Sequence, residues 1–273
     1  MGSSSKTPSW LLALGSEAPP DEIDLAGVRY DHERSFKHDF FAFTGCYRER
    51  DGERRVVLKI GRRASFFGLP LSWIGRLHAR HEAAIFAAVD DLPLVPAFTG
   101  RLGSTGLTHA FVPGRPLARG EAVPDGFFEE LERGLASIHE RGVAIVDLEK
   151  PDNVLLGEDG RPWLFDFQIS YRWPFSRGGQ LAPVRWILRR LQDSDRYHLR
   201  KLRRRFRPYT MTPEELEASK RRPWPIRLHR RIAQPLQAMR RGLLRRVDPR
   251  DRRPGEPREE RGRIRSADES TTA

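Results

Sequence analysis

Residues 142–169 read GVAIVDLEKPDNVLLGEDGRPWLFDFQI. Three polar residues punctuate apolar runs here. Asp147 ends VAIV, Asn153 opens NVLL six residues later, and Asp166 ends WLF thirteen residues beyond that. Short runs of Val, Leu, Ile, Trp and Phe bounded by turn residues read as strands. Glu158-Asp159-Gly160 reads as the turn between two hairpin arms. Such a hairpin brings all three polar side chains to one end of a small sheet. A carboxylate base, an amide and a second carboxylate at one end are the parts that hold a metal–phosphate pair beside a hydroxyl.

Upstream, RRVVLKIG (54–61) alternates Val56, Leu58 and Ile60 with Val57 and Lys59 and reads as a half-buried strand. Lys59 resembles the phosphate-holding strand lysine of the kinase V-A-I-K signature, with a snorkelling edge-strand lysine as the alternative. GRLHARHEAAIFAAV follows. Its Leu77, Ala84, Ile85, Ala88 and Val89 make an apolar stripe at helical spacing, with Glu82 near the stripe's edge. Glu82 is either the partner of Lys59 or an ordinary solvated helix residue. LPLVPAFTGRL and LTHAFV read as two further strands, and Pro113-Gly114-Arg115-Pro116 ends the second. A hairpin with Asp51-Gly52 as its turn precedes Lys59 and contains no G-x-G-x-x-G. Lys37 and His38 are candidates for supplying charge where glycine amides are missing, or are solvated strand residues.

Taken in order, Lys59, Glu82, Asp147, Asn153 and Asp166 resemble the anchors of the protein-kinase-like superfamily. Residues 35–205 look like a divergent bacterial member, similar in flavour to lipopolysaccharide-core (Kdo and heptose) kinases and to RIO-type atypical kinases. VRWILRRLQDSDRYHL looks like the helix after the short activation segment of the former. The resemblance implies an α+β, bilobal protein-kinase-like fold: a five-stranded antiparallel N-lobe with one main helix, and a mostly helical C-lobe. It implies ATP and Mg²⁺ (or Mn²⁺) as cofactors. Asp147 would orient the acceptor hydroxyl, and Lys150 would reach the transferred group unless it is an exposed loop lysine. Asn153 and Asp166 would hold the metal. Lys59, paired with Glu82, would neutralise phosphate charge. His109–Val112 would form the hinge, with backbone groups of Ala110 and Val112 facing adenine.

The chain departs from that pattern in places. Asp166-Phe167-Gln168 lacks the third-position glycine, the gap from Asp147 to Asn153 is one residue longer than usual, and Ile145-Val146 replace His-Arg. Without an arginine at 146, ordering of the following segment by a phosphate on it is not expected. No A-P-E triplet follows YRWPFSRGGQ. These features point to a small or lipid-linked hydroxyl acceptor, with a protein Ser/Thr acceptor, or a pseudokinase acting as a membrane-associated scaffold or nucleotide sensor, as alternatives.

The 273 residues carry a net charge of +12. Seventeen Lys and Arg against three Glu fall between 196 and 247, so the rest is near neutral. The 196–247 region contains apolar residues and Trp224 among the arginines. It suggests contact with an anionic membrane surface, or a helix packed on the C-lobe with a solvated basic face. Nucleic acid is not expected, because no recognition module is present. Phe66–Ile74, flanked by Arg62, Arg63 and Arg76, is a second membrane-touching candidate or a buried loop. A single cysteine, Cys46, excludes an intramolecular disulfide and suits a cytoplasmic setting, with peripheral placement on the inner membrane. The expected organisation is a flexible segment 1–22, N-lobe 23–112, C-lobe 113–210, a basic helical extension 211–247 and a disordered tail 248–273.

Overall fold

The computed structural model describes residues 8–220, apart from 67, 119 and 173–180. They belong to one compact unit, 1–226; a second unit, 227–273, lies outside them. The fold is mixed α+β. One antiparallel sheet comprises β1 (Glu22–Leu25), β2 (Val28–His38), β3 (Ala42–Glu49), β4 (Arg55–Gly61), β5 (Phe98–Leu102) and β6 (Gly106–Ala110), in the order β1-β2-β3-β4-β6-β5. The sheet has six strands where the sequence suggested five. The extra strand is β1, folded back on β2 at Ala26-Gly27, where both residues have positive φ (54° and 85°). Such a backbone matches the right-handed twist of a tight hairpin.

The strand β4 is buried on both faces, not half-buried. Val56, Leu58 and Ile60 join Tyr30, Phe43 and Tyr47 in one apolar cluster. The other face carries Lys59, paired in register with Leu107 of β6, and is covered by helix α1 (Ser72–Val89). That helix reaches the end of β4 at backbone distance. A Cβ on Gly75 would lie 2.1 Å from the Arg62 carbonyl oxygen, and one on Gly61 would lie 2.8 Å from the Gly75 oxygen. This approach sets which face of α1 turns inward. Gly75, Ala79, Glu82, Ala83, Ile85, Phe86 and Val89 are buried, whereas Leu77 is 58% exposed. The expected stripe is therefore rotated, and Glu82 lies on the buried face instead of at its edge.

The expected lead-in 1–22 also differs among its described residues. Leu11, Ala13 and Leu14 are buried, following a short 3₁₀ turn at Ser9–Leu11. The buried Arg62 guanidinium holds them there. It donates to the carbonyls of Trp10 (2.9 Å), Phe40 (2.9 Å) and Ser65 (3.1 Å) and lies 3.8 Å from the centre of the Phe40 ring. Phe66 packs on Trp10 and Phe40, while Leu69 and Trp73 are exposed. The Phe66–Ile74 stretch thus joins a packed anchor to an exposed apolar edge.

Below the sheet lie α2 (Phe127–Glu140), α3 (Ala182–Phe206) and α4 (Pro213–Lys220). Three short strands, β10 (Pro162–Leu164), β9 (Val154–Gly157) and β7 (Gly114–Pro116), form a small sheet, and β8 (Val143–Ala144) pairs with β11 (Tyr171–Arg172). Residues 114–116, read as a strand terminator, instead make the β7 edge against β9. The β9–β10 hairpin forms as expected, with Val154 opposite Leu164. The 182–206 segment is one helix. A capping box starts α4: Thr212 Oγ1 accepts from the Glu215 amide and Glu215 Oε2 from the Thr212 amide. One continuous apolar cluster runs from Ile85, Phe86 and Leu107 through Leu131, Leu135 and Ile138 to Phe167, Leu199 and Leu202. It ties the sheet side to the helical side beneath the candidate site.

Candidate functional site

Three charged side chains from distant parts of the chain meet between these layers. Lys59 Nζ donates to Glu82 Oε1 at 2.8 Å and to Asp166 Oδ1 at 2.9 Å. Its strand faces α1, Glu82 projects from the buried face of α1, and Asp166 follows β10. Phe167 locks the last element by inserting edge-on against Phe86, with ring centres 5.0 Å apart. Burying such an aromatic contributes about 1.5–3 kcal/mol. Burial disfavours the Lys59 ammonium, but Glu82 and Asp166 outweigh it and hold the amine above its ordinary range. Burial likewise opposes ionisation of Asp166. Lys59, by charge and by hydrogen bond, the Gln168 amide and the charge of Lys37 together bring its carboxyl below the usual value. Lys59 and the Gln168 amide both engage Oδ1; among the described residues no hydrogen bond reaches Oδ2.

The segment after Asp166 is tied to α1 by side-chain hydrogen bonds. His81 Nε2 donates to the Ser170 carbonyl at 2.7 Å, and Gln168, where the resemblance expects glycine, reaches His78 Nδ1 at 3.4 Å. Burial, with the nearby Lys59 and His81, keeps the His78 imidazole below its ordinary pKa.

A second group lies on the loop 145–153. Lys150 Nζ contacts Asp147 Oδ2 at 2.5 Å, so the two predicted catalytic side chains do meet. Asn153 closes a 3₁₀ turn at Pro151–Asn153 and donates through Nδ2 to the Asp147 carbonyl at 2.8 Å. Its side-chain oxygen is thereby turned away from that bond. Asn153 and Asp166 flank the same open end of the β9–β10 hairpin.

Asp195 of α3 supports this loop and was not singled out from the sequence. It is 1% exposed. Its carboxylate accepts from the amides of Ile145 and Val146, both at 2.8 Å, and contacts His139 Nε2 at 3.1 Å. Val146 adopts φ 71°, a left-handed conformation that a β-branched residue rarely takes. The buried carboxylate holds the backbone in that form and so aims Asp147. A signal existed: Val184, Leu188, Asp195, Leu199 and Leu202 share one helical face, and a lone acid on the apolar stripe of a basic helix is out of place.

The predicted hinge groups are partly committed. The Ala110 amide donates to Ala97 at 2.8 Å, and its carbonyl accepts from His109 Nδ1 at 2.9 Å. His109 is buried and stacked on Phe86 with ring centres 5.3 Å apart. Burial pushes it down to about 4, so the ring is neutral with its proton on Nδ1. The Val112 amide has no hydrogen-bond partner among the described residues. A concavity lined by Asp91, Pro93, Pro96, Phe111 and Trp163 also takes in Ala110 and Val112. It does not include Lys59 or Asp166, so it is not where the charged residues converge.

Lys37 and His38 part company. Lys37 pairs with Thr44, which pairs with Lys59, so all three stand in one cross-strand row. His38 pairs with Phe43, which pairs with Ile60, on the opposite face. Its Nε2 accepts from the Leu14 amide at 3.2 Å. His38 is therefore a packing residue here.

Of the basic region, 196–206 belongs to α3, with Tyr197, His198, Leu199 and Leu202 buried and Arg196, Arg200 and Arg205 exposed. The stretch 221–247 and the tail 248–273 lie outside the described residues. Among the described residues, no helix is long and apolar enough to cross a membrane, and no group of three His, Cys, Asp or Glu forms a metal cage.

No family model matches the chain, and no curated protein matches it. Among solved structures, it is similar to the Rio2 kinase–ADP/Mg²⁺–phosphoaspartate complex from Chaetomium thermophilum. The TM-score is 0.48 and the sequence identity 18%, over 69% of this chain and 61% of that one.

Proposed function

We propose that this chain is a kinase-like phosphotransferase that uses ATP and Mg²⁺ to phosphorylate a hydroxyl. The observation that carries this reading is the Lys59 ammonium held between Glu82 and Asp166. A lysine restrained by one buried carboxylate and shared with a second is poised to exchange the second for phosphate oxygens. The metal fits the donors present: Asp166 Oδ2 and the Asn153 amide oxygen are hard oxygen ligands. Bound there, Mg²⁺ would neutralise charge developing on the phosphates.

The chain's own groups do the rest. Asp147 orients the acceptor hydroxyl and takes its proton. Lys150, now on Asp147, swings to the transferred group. Asp195 holds the loop that aims Asp147. Adenine is met by the Val112 amide on the 109–112 connection. Division into an N-lobe over 23–112 and a C-lobe over 113–210 belongs to this reading. So does an acceptor that is a glycolipid or small molecule at the cytoplasmic membrane surface, approached through the basic 196–247 region. The short path from Asp166 to α3, with Val146 in place of an arginine, favours such an acceptor over a protein side chain.

A pseudokinase scaffold is the second reading, favoured by the Lys150–Asp147 contact, which occupies the base. Isothermal titration of the full chain with ATP, with and without Mg²⁺, followed by turnover with a panel of glycolipid, small-molecule and peptide acceptors, separates the two. The enzyme reading expects Mg²⁺-dependent binding lost in Lys59→Met, and turnover lost in Asp147→Ala and Asp166→Ala. Binding without turnover supports the pseudokinase; no ATP binding by the folded chain defeats the enzyme reading.

A further inference from the structure

The turn joining β2 to β3 lies beside α1 and caps itself. Asp39 Oδ1 accepts from the amides of Phe41 (2.8 Å) and Ala42 (3.0 Å), while its Oδ2 meets Lys37 Nζ at 2.6 Å. The Asp39 amide closes the turn on the Ala42 carbonyl at 3.0 Å. The turn's place is fixed from both sides. Lys37 stands in the cross-strand row of Thr44 and Lys59, and directly paired strand residues share a face. Phe41 lies against His78 of α1, with ring centres 6.4 Å apart, and His78 touches Gln168 two residues from Asp166. Lys37 is also among the charges that hold the Asp166 carboxyl down.

A carboxylate seated on two turn amides and one ammonium occupies the position an anionic ligand oxygen would take. Resting on the nucleotide reading above, we propose that Lys37 is a ligand for the terminal phosphates of the bound nucleotide. Asp39 is a built-in competitor that holds both Lys37 and the turn amides until those phosphates displace it. The pair suits exchange: Lys37 is 65% and Asp39 38% exposed at the side chain, and such exposed pairs are held weakly. A polyphosphate presents several anionic oxygens where Asp39 presents one carboxylate. Lys37 thus compensates for the missing glycine loop, at an affinity reduced by Asp39.

The test is titration of the full chain and two variants with ATP·Mg²⁺ and with adenosine. Lys37→Met is expected to weaken ATP·Mg²⁺ about tenfold. Asp39→Asn keeps an oxygen to cap the amides but frees Lys37, and is expected to tighten ATP·Mg²⁺ severalfold. Adenosine, which has no phosphate, binds all three alike. Three results each overturn the proposal while leaving the nucleotide reading intact: ATP affinity of Lys37→Met within twofold of the parent, a parallel loss of adenosine and ATP affinity in Lys37→Met, or Asp39→Asn no tighter than the parent. A parent that binds neither ligand removes both.

Discussion

Asp195 is buried and supports the loop that carries Asp147, and its removal yields a sharp prediction. Asp195→Ala deletes the acceptor of the Ile145 and Val146 amides and the partner of His139. Each stranded buried donor costs about 1–3 kcal/mol. Water entering the space left by the carboxylate recovers part of that. With two amides stranded and part of the cost recovered by water, the expected net loss is about 2–4 kcal/mol. Asp195→Asn keeps the shape but sets an NH₂ among donors, so about 1–3 kcal/mol is expected. The left-handed Val146 adds a second handle. Holding a β-branched residue there costs about 1–3 kcal/mol, a cost glycine does not carry. Val146→Gly should therefore be neutral or stabilising, and should shrink the penalty of Asp195→Ala by about 1–2 kcal/mol. Urea unfolding followed by tryptophan fluorescence, with m-values compared, measures all four corners of the cycle. A loss below about 1 kcal/mol in Asp195→Ala, or a penalty identical in both backgrounds, refutes the claim that this carboxylate holds the loop.

The neutral buried His109 makes stability pH-dependent. Its folded pKa of about 4 lies below the unfolded value of 6.5, so the unfolded chain binds the extra proton between those values. Stability is then intact above about 6.5 and falls with acid down to about 4, by at most about 1.4 kcal/mol per pH unit. In urea titrations across that window, His109→Phe should fall less steeply than the parent; parallel slopes dismiss the role. Gly75→Ala forces its methyl into the Arg62 backbone, costs about 1–3 kcal/mol and moves Glu82 off Lys59. Urea unfolding and ATP titration should both register it, and an unchanged Kd counts against the coupling. Thr212→Ala removes one half of the α4 capping box. It should cost about 1 kcal/mol, read as faster amide exchange confined to the first turn of α4.

Local rules carried the reading wherever a single segment holds the answer. The β9–β10 hairpin around Asp159-Gly160 and the strand bearing Lys59 follow from alternation and turn residues, which act over a few positions. The order Lys59, Glu82, Asp147, Asn153, Asp166 was legible through the resemblance to kinase-like anchors. Which of these groups touch was not. Lys59 meets Asp166 across 107 positions of chain. Glu82 joins them because the close backbone approach at Gly61 and Gly75 rotates α1 away from the stripe its own periodicity suggests. Arg62 docks the N-terminal residues through carbonyls that carry no side-chain signature. Asp195 serves a loop 50 residues away, and Asp39 occupies amides whose exposure depends on the turn's shape. Periodicity marks a buried face only as closely as helix rotation allows, and that rotation is set by packing between elements distant in the chain.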